Sequence, residues 1–225
     1  QDVPRAIKLL RAIISLADIQ PPPNDLQAAA DLDAIRLLSA LFKFLLDAFT
    51  DTSFSLSQQV SSLSAFAHLA FSLFRQHRRQ FSPYPLYYDY QSMVKNFIFC
   101  IIKQSLLDPS RSIWIGDTGD DKLEGLFAYL RMLGSHDLAM SLVQLESRLG
   151  AACDIKSTFD SHPELVAGAR RLQFGRIEAS DHLRRRHWTG DLTPASCNLP
   201  ASWHHGRSRA AAILSISQVP FRFYD

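Results

Sequence analysis

Between Leu26 and Leu106 apolar residues recur at helical spacing in three successive stretches, and prolines fall only at the joints. The first stretch carries Leu26, Ala30, Ile35, Leu38, Leu41, Leu45 and Ala48 and is predicted to run to about Phe49. Such spacing places apolar groups on one stripe of an α-helix, so each stretch needs a partner to cover it. Pro21-Pro22-Pro23 is a stiff linker ahead of it, and Asn24 or Asp25 supplies the N-cap. Ser55-Leu56-Ser57-Gln58 reads as a capping box opening a helix to about Arg79, with Leu63, Phe66, Ala67, Ala70 and Phe74 on one face. Pro83 and Pro85 break the pattern before a helix over about 87–106. That last helix is apolar on nearly every side around Phe97–Ile102, the signature expected of the central helix of a bundle. At six residues the run is far shorter than the roughly 20 a membrane helix needs.

Helical spacing also marks the chain's start, with Ile7, Leu10, Ile14 and Ala17 following Pro4. Beyond residue 110 the texture changes. Ser112-Ile113-Trp114-Ile115-Gly116 is short, β-branched and aromatic, and predicts a single strand. Leu123, Leu126, Phe127, Leu130 and Leu133 predict a helix closed by Gly134, and another is expected over about 137–149, ended by Gly150. A short helix is expected near 154–159, and a last one from Asn198 or Ala201 to Leu214. The fold class is therefore mainly α: a helical bundle with at most one or two short strands. Only 9 glycines in 225 residues fit this better than a many-stranded barrel.

Hydrophobic residues make up 47% and charged residues 20%, enough to bury a core, which excludes wholesale disorder. Cys100, Cys153 and Cys197 are odd in number and widely spread, with no C-x-x-C pair. They fit buried thiols in a reducing compartment better than a disulfide framework or a structural zinc site. Net charge is only +2, but it is unevenly placed. Arg170 to Arg209 holds eight Arg against three acids, a net +5 that leaves −3 for the rest.

Two clusters carry candidate chemistry. Asp117, Asp120, Asp121 and Glu124 surround one predicted strand-to-helix junction, and the last three share a helix edge. Clustered carboxylates suit a divalent metal and phosphoryl transfer; acids also favour the first turn of a helix, and that role is the commoner one. Arg184-Arg185-Arg186-His187-Trp188 joins cations to an aromatic ring, which suits phosphate contact and base stacking, or a solvated surface. His204-His205 follows Cys197 by seven residues and matches no standard metal spacing, and His68 reads as a core or edge histidine.

Several blocks carry a resemblance. They are Leu63-Ser64-Ala65-Phe66-Ala67-His68-Leu69, Leu86-Tyr87-Tyr88-Asp89-Tyr90-Gln91, Lys95-Asn96-Phe97-Ile98-Phe99-Cys100, and Asp121-Lys122-Leu123-Glu124-Gly125-Leu126-Phe127-Ala128-Tyr129-Leu130-Arg131. Together they resemble transposase-like proteins of basidiomycete fungi, and through them the C-terminal half of RNase H-like DDE transposases of the P-element/THAP and Kyakuja–Dileera–Zisupton kind. Gln1-Asp2-Val3-Pro4-Arg5-Ala6, Pro163-Glu164, Arg170-Arg171-Leu172 and Trp188-x-Gly190-Asp191 look like further landmarks.

The resemblance implies an organisation. Residues 1–110 would be a helical insertion-like bundle, 111–150 the truncated end of an RNase H-like core, and 151–225 a basic helical or loop segment. Glu124 would be the third catalytic and metal-binding acid, with Asp121 beside it and Arg131 in support. Arg184, Arg185, Arg186 and Trp188 would contact nucleic acid. The complete parent would use Mg2+ or Mn2+ to cut and join DNA strands. The first two catalytic aspartates would precede Gln1, so the chain, which opens without Met, is expected to be a fragment that is inactive alone and binds no metal by itself. A domesticated nucleic-acid- or protein-binding module without catalysis, or a non-functional remnant, stands beside this reading. The expected setting is nuclear or cytoplasmic, without secretion or membrane insertion, with self-association left open.

Overall fold

The computed structural model describes residues 3–119, 121–134, 139–162, 165 and 187–217. Seven α-helices lie among them: α1 Val3–Ser15, α2 Leu26–Thr50, α3 Leu56–His77, α4 Tyr84–Leu107, α5 Asp121–Met132, α6 Leu142–Ser161 and α7 Leu199–Ile216. Among the described residues there is no β-strand, and no helix is long and apolar enough to cross a membrane. The chain packs into two units. One comprises Gln1–Thr118 with Ala179–Asp225, and the other is Gly119–Glu178. Thus α7, from the far end of the sequence, belongs to the same unit as α1–α4.

The helix starts follow the capping chemistry. Asp25 accepts a hydrogen bond from the Ala28 N–H at 2.9 Å, and Asn198 accepts one from Ala201 at 3.1 Å. Ser55 and Gln58 form the reciprocal box: Gln58 donates its N–H to the Ser55 hydroxyl and its Oε1 accepts from the Ser55 N–H at 2.8 Å. Replacing Ser55 with Ala is expected to cost about 1 kcal/mol, read as a lower urea midpoint at constant m-value. Pro83 and Pro85 sit at the N-terminal end of α4, where a missing N–H forfeits no intrahelical bond. The helix therefore begins at Tyr84, three residues earlier than the sequence predicts.

The central helix is α3, not α4. Fifteen residues of α3 are buried, among them Leu56, Val60, Leu63, Phe66, Leu69 and Leu73, against four of α4. The apolar density around Phe97–Ile102 misleads because only Val94, Phe97 and Ile101 of that region are buried; Ile98 is half-buried, Phe99 is 62% exposed and Leu106 82%. In α3 small polar residues sit between the apolar ones and tie the helix to its neighbours' backbones. Ser62 donates to Phe44 C=O at 2.9 Å, the Gln59 amide to Ala48 C=O at 2.9 Å, and Ser64 to Trp203 C=O at 2.6 Å. Each bond satisfies a donor that would otherwise be costly to bury. Small side chains also let α7 approach closely: a Cβ built on Gly206 would overlap the Ser61 carbonyl oxygen and the Ser64 Cβ.

The expected strand at Ser112–Gly116 is absent. Its backbone makes one bond to another segment, from Ile113 N–H to Leu192 C=O at 2.9 Å, and then coils into a 3-10 turn at Ile115–Thr118. Among the described residues no ladder forms, and this single bond leaves the segment without a strand partner. Gly150 does not end a helix; α6 runs through it, and the capping box of Ser141 with Gln144 sets the start. An interior glycine costs only about 1 kcal/mol, and the two helices expected over 137–149 and 154–159 are one.

The second unit is small. In it α5 and α6 pack with Leu130 and Ala152 buried, and the Tyr129 and Phe159 rings meet at 5.6 Å. Gly134 follows the end of α5 and donates its N–H to Arg131 C=O at 3.0 Å, in a turn without the positive φ of a glycine C-cap. All three cysteines are free; Cys100 and Cys197 are half-buried, but Cys153 is exposed, contrary to the expectation of buried thiols.

Candidate functional site

Glu124 lies on the exposed face of α5, and Arg131 lies seven residues along the same helix, also exposed. Asp121 begins α5, but its side chain, like Asp120, falls outside the described residues. Among the described residues no group of three or more His, Cys, Asp or Glu could hold a metal ion. The described donors around Glu124 therefore do not fit a metal set, and no metal-dependent step is derived from them.

Arg184, Arg185 and Arg186 also lie outside the described residues, as do Gln1-Asp2, Pro163-Glu164 and Arg170-Arg171-Leu172. Trp188 is described, and its role is visible. Its indole N–H donates to Phe54 C=O at 2.7 Å. The adjoining backbone follows the α2–α3 corner: Thr189 N–H donates to Thr52 C=O at 2.8 Å, and Leu56 N–H to Asp191 C=O at 2.7 Å. At Gly190 a Cβ would overlap the Phe54 carbonyl, so glycine is what permits the approach. Asp191 accepts from the Thr193 N–H at 2.9 Å and from the Thr193 hydroxyl at 2.7 Å, and these bonds lower its carboxyl below the ordinary range. The W-x-G-D block thus clamps the C-terminal segment onto the α2–α3 corner.

A concave feature lies where α3, α4 and α7 meet. A cleft of ≈ 440 Å³ is lined by Ala67, His68 and Phe71 of α3, Tyr87, Tyr88, Gln91 and Lys95 of α4, and Trp203 and Arg207 of α7. A second cleft of ≈ 460 Å³ also has Lys95 and Trp203 in its wall, joined by Ile98, Leu199, Pro200 and His204. Among the described residues no carboxylate lines either one. Both volumes lie within the roughly 300–1,000 Å³ of ordinary ligand sites.

Aromatic packing holds these walls in place. Tyr87 stacks on Phe74 with ring centroids 3.8 Å apart, and Gln91 donates its amide to Ala67 C=O at 3.0 Å, fixing α4 on α3. The His68 ring lies 5.2 Å from that of Trp203, and its Nδ1 is 2.8 Å from the Ser64 carbonyl oxygen. Burial lowers the His68 pKa, a backbone bond to Ser64 opposes the shift, and Arg207 and His204 add to it. His68 is therefore neutral at pH 7, while Lys95 and Arg207 carry the cleft's charge. Burial raises the Tyr87 hydroxyl pKa, with Tyr90 and Tyr88 adding to the shift.

The helix α7 is the source of this basic character. It holds His204, His205, Arg207 and Arg209 within six residues and contains no acid. At 100° per residue these groups divide between two sides. Arg207 and His204 border the clefts beside Trp203, whereas His205 and Arg209 line a separate pocket. Sequence reasoning placed a basic segment here but missed Trp203, Lys95 and Arg207 as neighbours. The legible signal was a helix without acids; Lys95 stands more than a hundred residues away and joins only through the fold.

Comparison of the chain with family models, with curated proteins and with solved structures returns no match.

Proposed function

We propose that this chain is the helical part of a transposase-like protein and that it holds nucleic acid rather than cutting it. The observation that carries the reading is Trp203 standing in the walls of two clefts edged by Lys95, Arg207 and His204. Cations at such an edge attract the phosphate backbone, and an aromatic wall offers a stacking surface that every base can use. The motif blocks at 63–69, 86–100 and 121–131 lend the transposase side of the proposal its support. Strand cleavage would belong to a complete parent in which Glu124 has partner carboxylates and a divalent cation; a protein of this kind would work in the nucleus.

The test is binding of a fluorescent oligonucleotide, followed by anisotropy as salt is raised. Affinity should fall linearly on a log–log plot. Lys95→Ala and Arg207→Ala should each reduce the slope by about 0.7 on single strands or about 0.9 on duplex. Replacing Arg184, Arg185 and Arg186 together with Ala measures the share of the basic run. Binding that is absent, or whose salt slope ignores all of these changes, rejects the proposal.

A further inference from the structure

On the side of α7 away from Trp203 lies a pocket of ≈ 490 Å³ between the first turns of α3 and the middle of α7. Its wall includes Phe54, Gln58, Ser61, His205 and Arg209, and among the described residues no acid. Ser61 is 4% exposed, yet its hydroxyl faces this pocket, 3.0 Å from His205 Nδ1 and 3.5 Å from Arg209 Nη1. The guanidinium of Arg209 lies 4.7 Å above the Phe44 ring. It is half-buried, and among the described residues no carboxylate pairs with it. The nearby acid, Asp47, is engaged by Lys43 at 3.0 Å. Burial pushes the Arg209 pKa down, against the field of Asp47.

A half-buried guanidinium with one long hydrogen bond and, among the described residues, no paired carboxylate has donors left over for an anion. An anion in the pocket would engage them. The available donors select the anion. Arg209 offers a planar fork, His205 retains Nε2 after Nδ1 engages Ser61, and Gln58 retains its NH2 because its Oε1 accepts from Ser55. Donors from three side chains suit a tetrahedral group with three terminal oxygens better than a two-oxygen carboxylate.

The geometry points to a phosphate-binding site built from Arg209, His205, Gln58 and Ser61, taking phosphate free or as a monoester whose apolar part rests on Phe54. It is independent of the nucleic-acid reading, since it occupies the other side of α7 and shares no residue with the Trp203 clefts.

Calorimetric titration of the full chain with inorganic phosphate and with phenyl phosphate, at fixed ionic strength in chloride, tests it. Saturable binding that raises the thermal midpoint is expected. Tighter binding of phenyl phosphate identifies a monoester site, and equal affinity identifies the free ion. Arg209→Met keeps the aliphatic stem over Phe44 and should weaken phosphate roughly tenfold or more, the loss expected for a charge-assisted bond. His205→Gln, at an exposed position that leaves the fold intact, should weaken it by a smaller factor. Arg11→Met, at an exposed position of α1 that lines neither site, should bind as the unaltered protein does. No saturable phosphate binding overturns the proposal, and so does binding undiminished in both Arg209→Met and His205→Gln.

Discussion

Gly206→Leu is expected to destabilise the first unit by about 3 kcal/mol or more, at the upper end of what overpacking costs. The reason is the place where α3 and α7 touch. Any Cβ at residue 206 would overlap the Ser61 carbonyl oxygen, a backbone atom fixed within α3, as well as the Ser64 side chain. A flexible side chain could turn aside; a helix backbone cannot. The two helices would have to separate, which would break the bond from Ser64 to the Trp203 carbonyl and loosen the packing around Ala210 and Leu214. Alanine at 206 separates two effects. Its helix propensity exceeds that of glycine by about 1 kcal/mol, but the overlap remains, so Gly206→Ala should still lose stability. At roughly 2–4 °C per kcal/mol for a chain of this size, Gly206→Leu should lower the thermal midpoint by about 6–12 °C. An unchanged midpoint would mean that α7 does not pack on α3 as described.

That contact also marks how far the sequence could be read. Helix starts were legible, because Asp25, Ser55 and Asn198 cap by chemistry local to a few residues. The helical class and the long spans of α2, α3 and α7 follow from periodicity in the same local way. The identity of the central helix was not legible. Apolar density favoured α4, but a helix is central when neighbours can approach it from all round, and the serines of α3 permit that by bonding to the carbonyls of Phe44 and Trp203. Such partners lie 18 and 139 residues away and leave no periodic trace. The same limit applies to the candidate site. The basic texture of the C-terminal segment could be read from composition, but the meeting of Lys95 with Trp203 could not. Trp188 adds a bond of the same kind: its N–H donates to the Phe54 carbonyl, 134 residues away. Gly150 was read as a stop because glycine often ends helices, yet here its Cβ position is open space and α6 continues.

Phe97→Ala is expected to cost about 3–5 kcal/mol, whereas Phe99→Ala, two residues along the same helix, should stay within about 0.5 kcal/mol of the unaltered protein. The sequence alone ranks the two rings equally, since both lie in the apolar run of α4. The fold does not: Phe97 is 1% exposed and sits in the core cluster with Leu63, Leu69 and Val94, while Phe99 is 62% exposed. Truncating Phe97 leaves a cavity lined by side chains anchored on α3, a helix whose buried serines are bonded to neighbouring backbones and cannot slide to fill it. The loss should therefore approach the upper part of the range. Paired urea titrations measure both variants against one reference, and a constant m-value would confirm that the difference lies in the native state. Equal losses at the two positions would restore α4 as a helix buried all round and would remove α3 from the centre of the bundle.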